Sequence, residues 1–440
     1  MTGVLLAAAY TALLLLWMRR TRFFGQVPGL HFRWVAAFFL LRIGAGVALW
    51  AIYTYVYPDR ATADVFKYFD DSAHMYKSLA ENPWDYLRMI TGIGNDAPHF
   101  RDLYYKDMNN WVRHYESDLY NDAHTIIRFN AIVRLFSFGE FHVHSMVTAF
   151  LSLTGLVGLY RAFVRSVPGK EGLLAVAIFL LPSVLFWASG VLKESLLFFG
   201  IGLLMYQVDR ALHGNIRWRD PLLLAFNVVM LFFLKFYVLL SLLPALILLV
   251  WARKRTRPAL WMKMTLLYGV FILLGLNLHY LLPGWDILNI LMMKQRDFIG
   301  LAIHVNSGSF AMPELLFPDP WSFIKQAPSA LSVALLGPVL HPSGGVFGIL
   351  SAVENMFFVL FLMVCIVQRR PWSSVDKPLL AMIVLYVVLL ALVIGWTTPV
   401  MGAVVRYRTP LLPFLLVAGL LVLDHSRMAK WLPWSTRSFA

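Results

Sequence analysis

Eleven long apolar runs punctuate this chain, and clusters of basic residues follow every second one. The runs lie near 3–18, 34–57, 141–160, 172–188, 191–207, 221–234, 237–252, 259–282, 346–368, 378–396 and 409–423. A membrane-crossing helix needs about 20 mostly apolar residues, so the pattern predicts an all-α, polytopic membrane protein of about 11 transmembrane helices. Composition agrees. Of 440 residues, 59% are apolar and 14% charged, against roughly 45–50% apolar in a soluble domain. A soluble enzyme, a disordered tail and a DNA-binding domain are excluded, although the formal net charge is +14. The single Cys365 sits in an apolar run, which leaves no disulfide framework and no zinc site built on several cysteines.

The basic clusters orient the chain. Arg19/Arg20/Arg22/Arg33, Arg161/Arg165/Lys170, Arg210/Arg217/Arg219, Arg253/Lys254/Arg255/Arg257/Lys263, Arg369/Arg370/Lys377 and Arg427/Lys430/Arg437 hold 21 of the 38 Lys and Arg residues. The positive-inside rule puts all six on the cytoplasmic side, with the N-terminus outside and the C-terminus inside. Basic clusters flank both ends of 221–252, so this segment crosses twice and Lys235 marks an outer hairpin tip. The same logic splits 172–207 between Pro182 and Gly190. The first run is a retained span and not a cleaved signal, because its basic residues follow the apolar stretch. The positive excess is thus an orientation signal, and it calls for no nucleic acid.

Within this single membrane domain of 1–440, residues 58–140 and 283–345 become two outer loops. The first carries 13 of the 24 acidic residues. Apolar residues at three-to-four spacing predict helices over Asp71–Ile90 and Thr125–Phe138. The latter, with Arg128 and Arg134 among apolar neighbours, reads as an interfacial helix. The aromatic stretch 104–120, YYKDMNNWVRHYESDLY, could line a sugar groove. The second outer loop is punctuated by Pro283, Pro318, Pro320, Pro328, Pro338 and Gly345.

The densest chemistry lies in ADVFKYFDDSAHMYKSLAEN, residues 63–82, which places Asp64, Asp70 and Asp71 within eight positions. A carboxylate there can take a proton from an incoming hydroxyl or hold a divalent metal through oxygen. Equally, Asp70 or Asp71 could cap a helix beginning near Ser72. Four cations at span ends reach the same outer face: Lys193, Lys235, Arg406 and Arg408. Cations above the spans suit a lipid-linked phosphate, for which arginine offers a bidentate grip. The bland alternatives are neutralisation of Lys193 by Glu194 and snorkelling of Lys235 to headgroups. Glu354 lies inside a span, facing a cavity or a partner helix, and Arg42 reads as structural. No GxxxxGK, HExxH or GxSxG pattern occurs, and the histidines, including His142 and His144, are scattered.

Three stretches resemble the GT-C superfamily of membrane glycosyltransferases. DVFKYFDDSAHMYKSLA, with Asp70-Asp71-Ser72 and Tyr76, resembles the family's acidic-then-tyrosine opening of the first outer loop. RYRTPLLPF at 406–414 resembles an arginine–proline signature before the last span, and PSVLFWASGVLKE at 182–194 the outer turn of a middle hairpin. The resemblance spans the chain in layout and about forty residues in motif. Here the acidic stretch follows the second apparent span instead of the first.

The resemblance implies a GT-C-like fold in the bacterial cytoplasmic (inner) membrane and an inverting transferase of cell-envelope glycan assembly. Its donor would be a polyprenyl-phosphate-linked sugar and its acceptor a glycan, lipid or protein. Asp71 or Asp70, with Asp64 beside them, would be catalytic; Lys193, Lys235, Arg406 and Arg408 would bind lipid phosphate; and Glu194, Tyr76 and Glu354 would support. A divalent cation, Mg or Mn, held by Asp70 and Asp71, is optional. Competing expectations are an O-antigen polymerase or ligase acting on lipid-pyrophosphate glycans, and a non-enzymatic flippase or transporter.

Overall fold

The computed structural model describes residues 2–57, 59–112, 120–340 and 346–424. Among the described residues there is no strand, and ten helices are long and apolar enough to cross a membrane. The protein is an all-α, multi-pass membrane protein.

Helices α1 (Thr2–Arg20) and α3 (Phe32–Tyr55) flank the one-turn α2 (Arg22–Gly25). Next comes a helical cap at the acidic end: α4 (Asp64–Glu81), α5 (Pro83–Thr91), α6 (Pro98–Leu103) and α7 (Ala123–Ser137). The spanning helix α8 (Phe141–Phe163) leads back to the basic end. A broken passage follows, α9 (Glu171–Phe179) with α10 (Pro182–Trp187), and then α11 (Lys193–Leu212). The remaining helices are α12 (Asp220–Lys254), α13 (Leu260–Leu281), α14 (Ile287–His304), α15 (Pro320–Leu340), α16 (Val346–Val367), α17 (Lys377–Thr397), α18 (Met401–Tyr407) and α19 (Leu412–Val422).

The pair α8 and α11 is the spine. Small residues let their backbones touch: a Cβ added at Gly202 would stand 1.7 Å from the Gly155 carbonyl oxygen. Fully buried Arg42 of α3 fastens the turn that feeds α11. Its Nη1 donates to Ser152 Oγ at 2.9 Å, to the Ala188 carbonyl at 2.8 Å and to Ser189 Oγ at 3.1 Å.

Helix α12 is folded on itself. Lys235 is the one non-helical residue within it, at φ −155° and ψ 83°. A straight helix of 35 residues would be about 52 Å long. Instead, Asp220 at its start pairs with Arg210 at 3.0 Å, and Arg253 near its end lies close enough to Asp209 to act on its charge. Both ends of α12 therefore meet the basic end of α11, while Lys235 meets the other end.

Several expectations are corrected. Residues 172–188 are not one continuous helix; they break before Pro182, whose missing N–H and ring oppose helix through the preceding residue. The stretch 283–345 is not a plain loop: it holds α14 and α15, and α15 is itself long and apolar enough to cross. The prolines misled, because Pro320 opens α15 in the first turn, where no N–H is needed, and Pro328 and Pro338 lie inside it. This stretch begins beside the α12 bend, where Trp285 touches Phe236, and α16 ends where the Arg370 N–H bonds the Val422 carbonyl. Helices α14 and α15 together therefore add no net crossing. In the stretch expected to form the first outer loop, α4 starts at Asp64, so neither Asp70 nor Asp71 caps a helix. Helix α7 does not simply lie on the membrane. Its Ile126, Ile127 and Asn130 are buried, and Arg134 donates through Nε to Ser72 Oγ at 2.8 Å and through Nη2 to the Phe69 carbonyl at 2.7 Å.

Candidate functional site

Four helix boundaries meet at the acidic end of the bundle: the starts of α4 and α11, the bend of α12 and the end of α18. Glu194 lies in the first turn of α11, where the helix dipole favours a carboxylate. Its Oε1 accepts from Lys235 Nζ at 2.9 Å, and its Oε2 accepts from Arg406 Nη2 at 3.0 Å. Through Nη1, Arg406 also donates to Asp64 Oδ2 at 2.8 Å. Lys193 turns about 100° away from Glu194 around the helix and donates to Asp122 Oδ1 at 2.8 Å. Aromatic faces complete the enclosure. Lys235 lies 4.2 Å from the Tyr407 ring centre, Lys193 5.3 Å from that of Tyr68, and Arg406 5.7 Å from that of Trp187.

The cluster pairs three cations with three carboxylates, but their burial differs. The Glu194 side chain is 0% exposed and Lys235 2%, whereas Asp122 is 31% and Asp64 36% exposed. Glu194 is thus a fixed anchor for Lys235 and Arg406. Asp64 and Asp122 are the partly exposed partners of the cluster. Burial raises the Asp64 pKa, but Arg406 and Lys193 outweigh it and hold the carboxyl at about 2. An anion that took Arg406 from Asp64 would leave behind a carboxylate with a higher proton affinity.

The other expected site residues lie elsewhere. Asp71 is buried and accepts the N–H groups of Asn109 and Asn110, each at 2.7 Å, so it organises the cap. Asp70 forms a two-point ion pair with Arg60 at 2.6 and 2.7 Å. The two carboxylates suggested for a metal therefore face different partners. Among the described residues no group of three or more His, Cys, Asp or Glu side chains converges as a metal site. Tyr76 is half-buried on the Arg134 and Tyr86 side of α4, away from Glu194. Arg408 does not join the other three cations: it is buried, and Nη1 donates to Asn355 Oδ1 at 2.7 Å and to the Leu335 carbonyl at 3.3 Å. Glu354 accepts the Ser183 N–H at 2.9 Å and the Ser183 hydroxyl, which fixes the start of α10. His144 is held between Ser137 Oγ and Asn130 Oδ1.

Sequence reasoning did not single out Asp122, Tyr68, Tyr407 and Trp187. The signal for Tyr407 was its place between the two arginines of VVRYRTP; Asp122 had none beyond membership of an acidic loop. Comparison with protein-family models, with curated proteins and with solved structures finds no match for this chain.

Proposed function

We propose that this chain is a membrane glycosyltransferase. It moves a sugar from a polyprenyl-phosphate or polyprenyl-diphosphate donor to an acceptor hydroxyl at the acidic end of the bundle. That end is the outer face of a bacterial cytoplasmic membrane, with the N-terminus outside and the C-terminus inside. The observation that carries this reading is the Asp64–Arg406–Glu194–Lys235 chain of ion pairs, flanked by Lys193 and Asp122.

In the proposed step the donor phosphate binds Arg406 and Lys193 and takes the place of Asp64 and Asp122. Buried Glu194 keeps Arg406 and Lys235 in position, so the cations are preorganised for the charge that develops on the leaving phosphate. The acceptor oxygen attacks the anomeric carbon, and the bond from that carbon to the phosphate oxygen breaks. The electron pair leaves with the lipid phosphate, and the hydroxyl proton passes to Asp64, released from Arg406. Attack opposite the leaving group inverts the anomeric centre.

The test is mass spectrometry of lipid-linked glycans in cells carrying wild-type protein, Asp64→Asn or no protein. Loss of one product in both the variant and the null strain, with normal expression of the variant, is the expected result. Full activity of Asp64→Asn overturns the assignment. A product longer by one sugar fits a single-sugar transferase, whereas a product longer by whole repeat units fits polymerase or ligase chemistry at the same cluster.

A further inference from the structure

A cavity of about 1410 Å³ lies between the helical cap and the spanning helices, beside the charge cluster. Pockets of roughly 300–1,000 Å³ already enclose drug-sized ligands, so this one has room for a head group and part of a chain. Its walls are of two kinds. On the cap side stand Asn95, Asp96, Arg101, Tyr120, Asn121 and His124; on the bundle side stand Leu151, Leu196, Phe199, Phe226, Val229 and Phe233.

Stacked rings brace the cap wall. Phe100, Tyr105, Trp111 and His124 form a column of near-parallel rings, with successive centres 6.0, 4.6 and 3.8 Å apart. Tyr120 stays outside this column, 51% exposed, with its ring 5.5 Å from that of Phe233. It therefore stands where the polar wall meets the apolar one. An exposed aromatic ring with exposed Asp96 and Arg101 beside it suits a hydroxyl-rich ring: the aromatic face covers the sugar's C–H surface, and the two charged groups meet its hydroxyls. On the opposite wall, exposed Phe226, Val229 and Phe233 suit an apolar chain. One occupant satisfies both walls, an amphiphile with a sugar head.

We infer that this cavity binds a glycolipid, and that the acceptor of the transfer is lipid-linked. The second half rests on the glycosyltransferase reading; the binding itself does not. The cavity shares a wall with the cluster, since Asn121 precedes the Asp122 that pairs with Lys193, and Leu196 follows Glu194 on the first turns of α11. A sugar held there is next to the cations proposed for the donor phosphate, with its chain lying along α11 and the first arm of α12.

The experiment uses full-length protein in phosphatidylcholine nanodiscs and a glucosyl diacylglycerol probe with a diazirine in one acyl chain. Photolabelling is expected at 196–199 and 226–233 and is displaced by unlabelled glucosyl diacylglycerol. It is expected to fall at least tenfold in Tyr120→Ala, which removes the exposed ring, and in Val229→Trp, which fills the chain side. Asp64→Asn, inactive on the proposed mechanism, should label like wild type, so binding and catalysis fail separately. Four results overturn the inference: no labelling in the cavity, equal labelling by the sugarless diacylglycerol probe, labelling unchanged in both cavity variants, or displacement by undecaprenyl phosphate, which would make the cavity a lipid-phosphate site.

Discussion

Arg406 and Arg408 stand two residues apart and face different surroundings: Arg406 links Asp64 to Glu194, whereas Arg408 donates to Asn355 Oδ1. Two helical steps turn a side chain about 200°, so a single RYR triplet supplies one cation to the charge cluster and one to the packing of α15 and α16. Arg406→Lys keeps the charge but loses the planar fork whose two separate nitrogens reach Asp64 and Glu194. Transfer should fall by about 10²–10³, the loss typical of a missing charge-stabilising donor. Arg408→Lys should keep most of the activity and lower the thermal unfolding temperature instead. Equal loss of transfer in both variants, at equal folded yield, contradicts this division.

Glu194 is fully buried and depends on two cations. Removing one partner of a buried ion pair leaves an uncompensated charge and costs about 3–5 kcal/mol. Lys235→Met should therefore unfold in detergent at a markedly lower temperature than wild type. The double variant Lys235→Met, Glu194→Gln removes both charges and should recover much of that stability without recovering transfer. The check is thermal melting in detergent alongside product analysis. If the double variant melts no higher than Lys235→Met, the buried charge is not what destabilises it.

The charge pattern made most of the architecture legible. Basic clusters on both sides of 221–252 predict that the chain turns back on itself, and α12 bends at Lys235 so that both its ends lie at one end of α11. The site was legible in part, because cations in an apolar chain are conspicuous but their directions are not. Lys193 and Glu194 looked like a mutual pair, yet adjacent helical residues diverge, and each bonds a partner from another element. Asp70 and Asp71 looked like the acidic centre because they are consecutive. Arg60 in the preceding turn claims Asp70, and the Asn109 and Asn110 N–H groups claim Asp71, and helical spacing encodes neither contact. Pro320, Pro328 and Pro338 failed as loop markers for a similar reason: a helix start and tertiary packing accommodate what sequence alone reads as breaks.

Asp71 gives a prediction about order in the cap. Its two oxygens each accept one backbone N–H, so Asp71→Asn turns one acceptor into a donor facing a donor. A buried group left unsatisfied costs about 1–3 kcal/mol, and the cost should appear locally. Amide exchange at Asn109 and Asn110 should accelerate strongly in this variant, while exchange along α8 and α11 stays at the wild-type rate. Unchanged exchange at both asparagines would remove the organising role assigned to Asp71.

The pH dependence follows from Asp64. Its folded pKa of about 2 lies below its ordinary value of 3.8, because Arg406 and Lys193 outweigh burial. A depressed carboxylate pKa contributes stability that is present above the ordinary value and is lost as pH falls through the folded one. Stability from this pair should thus hold down to about pH 4 and fade towards pH 2, and Asp64→Asn should flatten that acid window. Asp71 works in the opposite sense. Burial is the largest influence on it and raises its pKa despite the two N–H bonds, so its ionisation costs stability as pH rises through that raised value. For catalysis, kcat/KM reports the free enzyme and kcat the substrate complex. If donor phosphate takes Arg406 from Asp64, the carboxyl returns towards that ordinary value, and the acid limb of kcat should lie at higher pH than that of kcat/KM. Coincident limbs, or limbs in the reverse order, would show that the donor does not displace Asp64.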